Sequence, residues 1–356
     1  MNEDDEMEAD ESMAEDAPQT NGSSLHNAPK KPNDYLQALI PALLPLIHPT
    51  SLSYAPPFQQ SLHPPTTSAL GALHIAALEC LNNVSLTLAD GLESVSPEAT
   101  EISNGTSHDS IAGLAMKTWG EVWMVLAAIR KPEGVGAGPE RKKEAWLVAL
   151  GVLWAVARIC RGHLVSSEVL PLPLPLLRVR RRTYLRPYKV PDAEQVQLLM
   201  EICDTVPDDA SKVKCIGILE CVAVHPSSVE ANKVFRSSNR PYPNRPNPVS
   251  PKVISSYLLS LLPTRGQVAS QPPEALIQAT SSIIDIFSDE GSPWDVNFRQ
   301  GKWENLLAQS VDGVRKAVKS IDKRKGGEDG RELRRRGEEV LENLVAFVKY
   351  RRRLKS

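Results

Sequence analysis

The sequence predicts an all-α chain folded as an α-solenoid, on three observations. Aromatic residues make up only 5% of the 356 residues, and Leu, Val, Ile and Ala carry the apolar content, which suits helix packing better than a sheet sandwich. Apolar residues recur at helical spacing in segment after segment, and no strand signal is long enough to build a sheet. The segments pair into hairpins of roughly thirty to fifty residues, the mark of stacked helical repeats. The repeats are too degenerate for a sharp period, so the class rests on helix pairing.

Residues 1–33 are strongly acidic and poor in apolar groups, so they are expected to be disordered. Nine Asp or Glu fall within residues 1–16, which makes the segment either a solubilising tail or a bait for a basic ligand. The apolar pattern starts with Leu36, Leu39, Ile40, Leu43, Leu44 and Ile47, interrupted by Pro41 and Pro45. Proline lacks an amide donor and crowds the preceding turn, which predicts a kinked or broken helix there. A Pro-rich loop follows. The helix over 68–90 is apolar nearly all round and is expected to be buried between neighbours, its least apolar line carrying Glu79, Asn83 and Asp90.

Helices over 111–130 and 141–161 carry four tryptophans. Trp119 and Trp123 share a face at a spacing of four, and Trp146 and Trp154 follow in the next helix. Such a stripe is either packing between helical layers or a stacking platform for a ligand. Prolines at 171, 173 and 175 make 166–191 an extended connector between a first set of repeats, 34–165, and a second, 192–356. Helices are then predicted over 192–205, 211–224, 229–235, 251–262, 273–288, 302–321 and 331–350.

The formal net charge of −2 hides an asymmetry, because residues 302–356 hold sixteen Lys or Arg against nine acids. Five cysteines form no CxxC pair and read as buried thiols of a reducing compartment. No secretory segment opens the chain, and no apolar run reaches the roughly 18 residues of a membrane span, so no membrane partner is expected. There is no P-loop, no strand-borne GxGxxG and no nucleophile signature. The seven histidines lack metal-ligand spacing, and His74 reads as a satisfied core residue. The chain is therefore expected to be no enzyme and to need no cofactor or metal.

Helical arrays without catalytic motifs work by presenting a long groove, so the charge of that groove matters. Asp285 and Asp289 lie one turn apart at the predicted C-terminal end of a helix, followed by Glu290. Carboxylates there face the negative end of the helix dipole, which disfavours each by about 0.3–1 kcal/mol. The placement requires a cation, supplied either by a nearby Arg of the fold or by a basic ligand. The C-terminal runs KSIDKRKGG, RRRG and KYRRRLKS raise the opposite possibility of RNA contact. Arg334 and Arg335 interleave with Glu338 and Glu339, however, which favours a solvated face.

The helix ending in SIIDIFSDEGSPWD, the next ending in VKSIDKRK, and the terminal ELRRRGEEVLENLVAFVKYRR together resemble the C-terminal part of the symportin family over about ninety residues. The resemblance implies an armadillo and HEAT superhelix acting as a transport chaperone. Its clients would be the basic ribosomal proteins of the 5S ribonucleoprotein, carried between cytoplasm and nucleus with a karyopherin. It also implies that residues 1–33 belong to an acidic insertion, with an armadillo half and its import signal missing before them. Receptor binding then falls to Arg182, Arg186, Pro187 and Tyr188, a basic Pro-Tyr segment like those read by transportin-type receptors; Arg240, Pro241 and Tyr242 form a second, weaker match. Asp285, Asp289 and Glu290 would neutralise the basic client, with Glu79 and Asn83 contributing from an earlier repeat. Two other readings remain, a generic protein scaffold and an RNA-binding array using the basic C-terminal end.

Overall fold

A computed structural model describes residues 32–50, 64–93, 105–129, 139–160, 192–206, 208–224, 251–264, 269–292, 294–322 and 327–354. Among them are eleven helices and no strand. In chain order these are α1 Pro32–Ile47, α2 Pro64–Glu93, α3 Gly105–Ile129, α4 Pro139–Cys160, α5 Asp192–Thr205 and α6 Asp209–Val224. They are followed by α7 Pro251–Leu261, α8 Pro273–Ile286, α9 Asp295–Gly301, α10 Trp303–Ser320 and α11 Gly327–Arg353. The helix expected over 229–235 and the connector over 166–191 lie outside the described residues, as does the acidic segment 1–31.

The helices stack as a two-layer solenoid. Helices α2, α4, α6, α8 and α11 pack in succession, each against the next, as the rungs of a ladder. Helices α1, α3, α5, α7 and α10 back them, α1 against α2 and α3, α3 against α4, α5 against α6, α7 against α6 and α8, and α10 against α8 and α11. Helix α4 packs directly on α6. One apolar core runs through the stack, from Ile40 and Leu78 through Leu153, Ile216 and Leu276 to Leu344.

Small residues let the rungs approach. A Cβ on Gly217 of α6 would sit 2.6 Å from the indole of Trp154 on α4, and one on Gly151 of α4 would sit 2.4 Å from Oδ1 of Asn82 on α2. Lys214 adds a polar staple, donating from Nζ to the Leu147 carbonyl at 2.9 Å. Trp119 and Trp123 are buried and meet edge to face at 5.6 Å, with the Trp119 indole N–H donating to Gln195 of α5. These two therefore form layer packing rather than a ligand platform.

Several expectations change on folding. Pro41 and Pro45 do not break α1 into pieces; both lie on its exposed side within one continuous helix. Helix α2 is long and apolar enough, by length and composition, to cross a membrane over Pro65–Gly91, contrary to the sequence reading. Its polar Glu79, Asn82 and Asn83 interrupt the apolar run without interrupting the helix, and Leu78, Leu81 and Leu88 are buried in the protein core. Cys80 is exposed beside Glu79, whereas Cys160, Cys203 and Cys215 are buried. Burial pushes the Cys160 thiol up to about 12. His74 is buried, and its Nδ1–H donates to the Leu46 carbonyl at 2.5 Å.

A short helix, α9, was not foreseen. It precedes α10, and Lys302 joins the two in a left-handed conformation with φ of 51°. The turn lets Trp303 fold back on Gly301, where a Cβ would come within 2.2 Å of the indole nitrogen.

Candidate partner-binding site

The exposed side of the ladder carries the candidate residues, but it separates them into groups. Glu79 and Asn83 are exposed on α2, one turn apart, in line with Thr87 and Asp90. Thr87 donates to the Asn83 carbonyl at 2.9 Å, and Asp90 pairs with Arg158 of α4 at 2.8 Å. Two rungs, α4 and α6, stand between this line and α8. Glu79 and Asn83 are thus remote neighbours of Asp285 along the array and no part of one constellation with it.

Asp285 is exposed in the last turn of α8, which ends at Ile286 and not at 288. Phe287 is the reason, since it leaves the helix as C-cap to pack against Phe298 at 5.1 Å and Trp303 at 5.5 Å. Asp289 therefore lies beyond the helix, in a turn where Oδ1 accepts the Gly291 amide at 2.9 Å. The negative end of the helix dipole therefore bears on Asp285 alone. Glu290 turns away toward α11 and accepts the Tyr350 hydroxyl at 3.0 Å.

What Asp285 has beside it is an acid that sequence reasoning missed. Glu220, on α6, lies half-buried against α8 and accepts Ser282 Oγ at 2.5 Å and Gln278 Nε2 at 3.0 Å. Burial pushes its carboxyl above the usual range; Ser282 holds it down, and Asp285 raises it further, ahead of smaller lowering contributions from Gln278 and the Arg336 guanidinium. Asp285 is also raised by desolvation, against a single hydrogen bond from Ser281. The nearest cation is turned aside, because Arg336 of α11 donates its Nη2 to Gln278 Oε1 at 2.6 Å. Gln278 thus stands between guanidinium and carboxylate. Among the described residues no Lys or Arg pairs with either acid, and the patch keeps two carboxylates held by neutral donors.

The signal for Glu220 was present in the sequence as a lone acid within CIGILECVAV, an otherwise apolar run. Nothing in that run tells which rung it faces.

The basic C-terminal end divides in two. The interleaved charges pair on the helix surface as expected, Arg334 with Glu338 at 2.6 Å and Arg335 with Glu339 at 3.6 Å. Arg351 does not share that solvated face and is 4% exposed. It pairs with the buried Asp295 of α9 and lies over the Phe298 ring at 4.4 Å. Arg182, Arg186, Pro187 and Tyr188 lie outside the described residues.

Stacked helix pairs with a continuous exposed ladder define a helical-repeat protein of the α-solenoid class. A family model described as SYO1-like TPR repeats matches residues 36–355, so the chain belongs to that family. It is similar to Symportin 1 of Chaetomium thermophilum, at 28% identity over 142 residues, 40% of this chain and 17% of that protein. It is also similar to a Schizosaccharomyces pombe protein described as an armadillo repeat protein involved in nucleocytoplasmic transport, Syo2. There the identity is 33% over 86 residues, 24% of this chain and 12% of that protein. The matches thus span less than a fifth of either relative's length.

Proposed function

We propose that the chain is a non-catalytic adaptor of nucleocytoplasmic transport that holds a basic segment of a client on its ladder face. The observation that carries this reading is the Glu220 and Asp285 patch, two carboxylates raised by desolvation that no Lys or Arg among the described residues pairs with, Arg336 being bound to Gln278. A Lys or Arg of the client supplies the missing charge between α6 and α8. Asp289 and Glu290 extend the acidic rim beyond the helix end, and Glu79 and Asn83 offer a second foothold two rungs away. The relatives' printed names support a transport role with shuttling between cytoplasm and nucleus; the choice of basic ribosomal proteins of the 5S ribonucleoprotein as clients rests on the symportin resemblance alone.

The acidic segment 1–16 raises the encounter rate with such a client by steering, an effect that salt screens. Arg182, Arg186, Pro187 and Tyr188 serve as the contact for a transportin-type receptor, which a pull-down with Tyr188→Ala tests by loss of the receptor. Titration calorimetry with a basic 5S-ribonucleoprotein protein, at low and high salt, tests the patch. Glu220→Gln and Asp285→Lys are each expected to weaken binding by about tenfold or more. Unchanged affinity in both variants would sink the assignment. Binding insensitive to salt in the wild type would favour a generic scaffold instead. A client captured only through RNA, lost with nuclease, would favour the basic end of α11.

A further inference from the structure

The acidic patch and the cation nearest to it are kept apart by one side chain. Gln278 of α8 is 6% exposed and lies between Glu220 of α6 and Arg336 of α11. Its Nε2 donates to Glu220 Oε2 at 3.0 Å, and its Oε1 accepts Arg336 Nη2 at 2.6 Å. A guanidinium can only donate and an ionised carboxylate can only accept, so a single orientation of the amide serves both neighbours.

The two arginines before Arg336 are committed elsewhere. Arg334 pairs with Glu338 at 2.6 Å and donates to the Val318 carbonyl at 2.6 Å, while Arg335 pairs with Glu332 and Glu339. Arg336 pairs with no carboxylate among the described residues, although its charge reaches Glu220 and helps to lower that carboxyl. Helix α11 is seated without it. A Cβ on Gly337 would come within 2.9 Å of Ile277 on α8 and 3.0 Å of Val318 on α10, and Arg334 ties the same turn to α10. An exposed arginine and a half-buried glutamate thus stand one amide apart without meeting. A direct bond between them would be stronger than either bond to the amide, because both partners are charged.

We propose that Gln278 is the positioning residue of the acidic patch, its amide keeping Arg336 from closing on Glu220 as a resident counter-ion. The patch then stays open to a cation from outside, a consequence that rests on the basic-client reading above. An apolar side chain at this position would let the guanidinium approach. A carboxylate would hold the guanidinium but repel Glu220.

Carbon-13 NMR of the Glu220 side-chain carboxyl in the full chain, assigned by its loss in Glu220→Gln, reads the proposal through the direction of a shift. Were Gln278 only a hydrogen-bond donor, Gln278→Leu would move the Glu220 titration midpoint further up, because a lowering contact is lost. Closure of Arg336 moves it down instead, and that is the expected result. The double variant Gln278→Leu/Arg336→Gln should return the midpoint to the wild-type value or above. Gln278→Met, unbranched as glutamine is, repeats the measurement should the branched Leu disturb α8. An unchanged or higher midpoint in the single variants, or a lowered one that persists in the double variant, overturns the proposal. Titration calorimetry with an arginine-rich peptide reads the consequence separately. Binding is expected to weaken about tenfold in Gln278→Leu and to recover in the double variant. A lowered Glu220 midpoint alongside a peptide that binds neither wild type nor double variant would support the role of Gln278 and refute the basic-client reading.

Discussion

Two clusters of charge, one at each side of α8, show how differently one fold treats its acidic groups. Between α6 and α8, Glu220 and Asp285 sit among neutral donors with their cation diverted to Gln278. Between α9 and α11, Asp295 and Arg351 are both buried, paired and backed by an aromatic cluster. The second arrangement answers both oxygens of its carboxylate with guanidinium groups and ties α11 to α9. The first holds its carboxylates with neutral donors and only the indirect charge of Arg336. A buried ion pair adds little net stability over an apolar pair, yet breaking it by removing one member is costly. The two clusters should therefore respond to mutation in opposite ways.

The largest expected effect is at the complete cluster. Arg351→Met leaves Asp295 buried with only the exposed Arg299, and chemical denaturation should show a loss of about 3 kcal/mol. Adding Asp295→Asn should recover most of that loss. A single variant as stable as wild type would remove the contrast between the clusters. Next comes the packing on which the acidic patch stands. Gly217→Ala forces a Cβ against the Trp154 indole one turn from Glu220, at an expected cost of about 1–3 kcal/mol by the same measurement. If client affinity falls with it, the geometry of the patch depends on the seating of α6 against α4.

Smaller, and opposite in sign, is Glu220→Gln. The Glu220 carboxyl is raised in the folded chain, so its favourable contribution is present below the ordinary carboxyl pKa and is lost as pH rises through the raised value. The glutamine variant should match wild type near about pH 4 and exceed it by about 1 kcal/mol at neutral pH while binding the basic client less well. Thermal melts across pH check the first part and calorimetry the second. A variant less stable at neutral pH than in acid, relative to wild type, would show that Glu220 is compensated after all. The smallest effect belongs to Arg335→Gln, whose pairs with Glu332 and Glu339 lie in solvent, and no change in melting midpoint is expected.

Helix positions were legible because period and breaker residues are local properties. The predicted 192–205 helix is reproduced, and the start of α10 falls one residue from its predicted position. Helix α9 was missed because seven residues carry too little periodicity, and because the left-handed Lys302 that separates it from α10 is not a residue type that announces such a turn. The length of α8 was overestimated because Phe287 fits the helical stripe in sequence but joins the aromatic cluster in space. Asp285 was found by its position near a helix end. Glu220 was not, since a single acid in an apolar run has no local feature that distinguishes a paired residue from an unpaired one.

The sequence by itself determined an α-solenoid, its helices and the interleaved surface charges of α11, because each of these follows from residues within one or two turns of each other. Only the tertiary structure decided which charges are answered. Whether an Arg ends up on a carboxylate, on a glutamine or over a phenylalanine depends on the order in which the rungs stack. That is why Arg351 became part of the core, Arg336 was held off Glu220, and an acid with no place in the sequence reading became the centre of the candidate site.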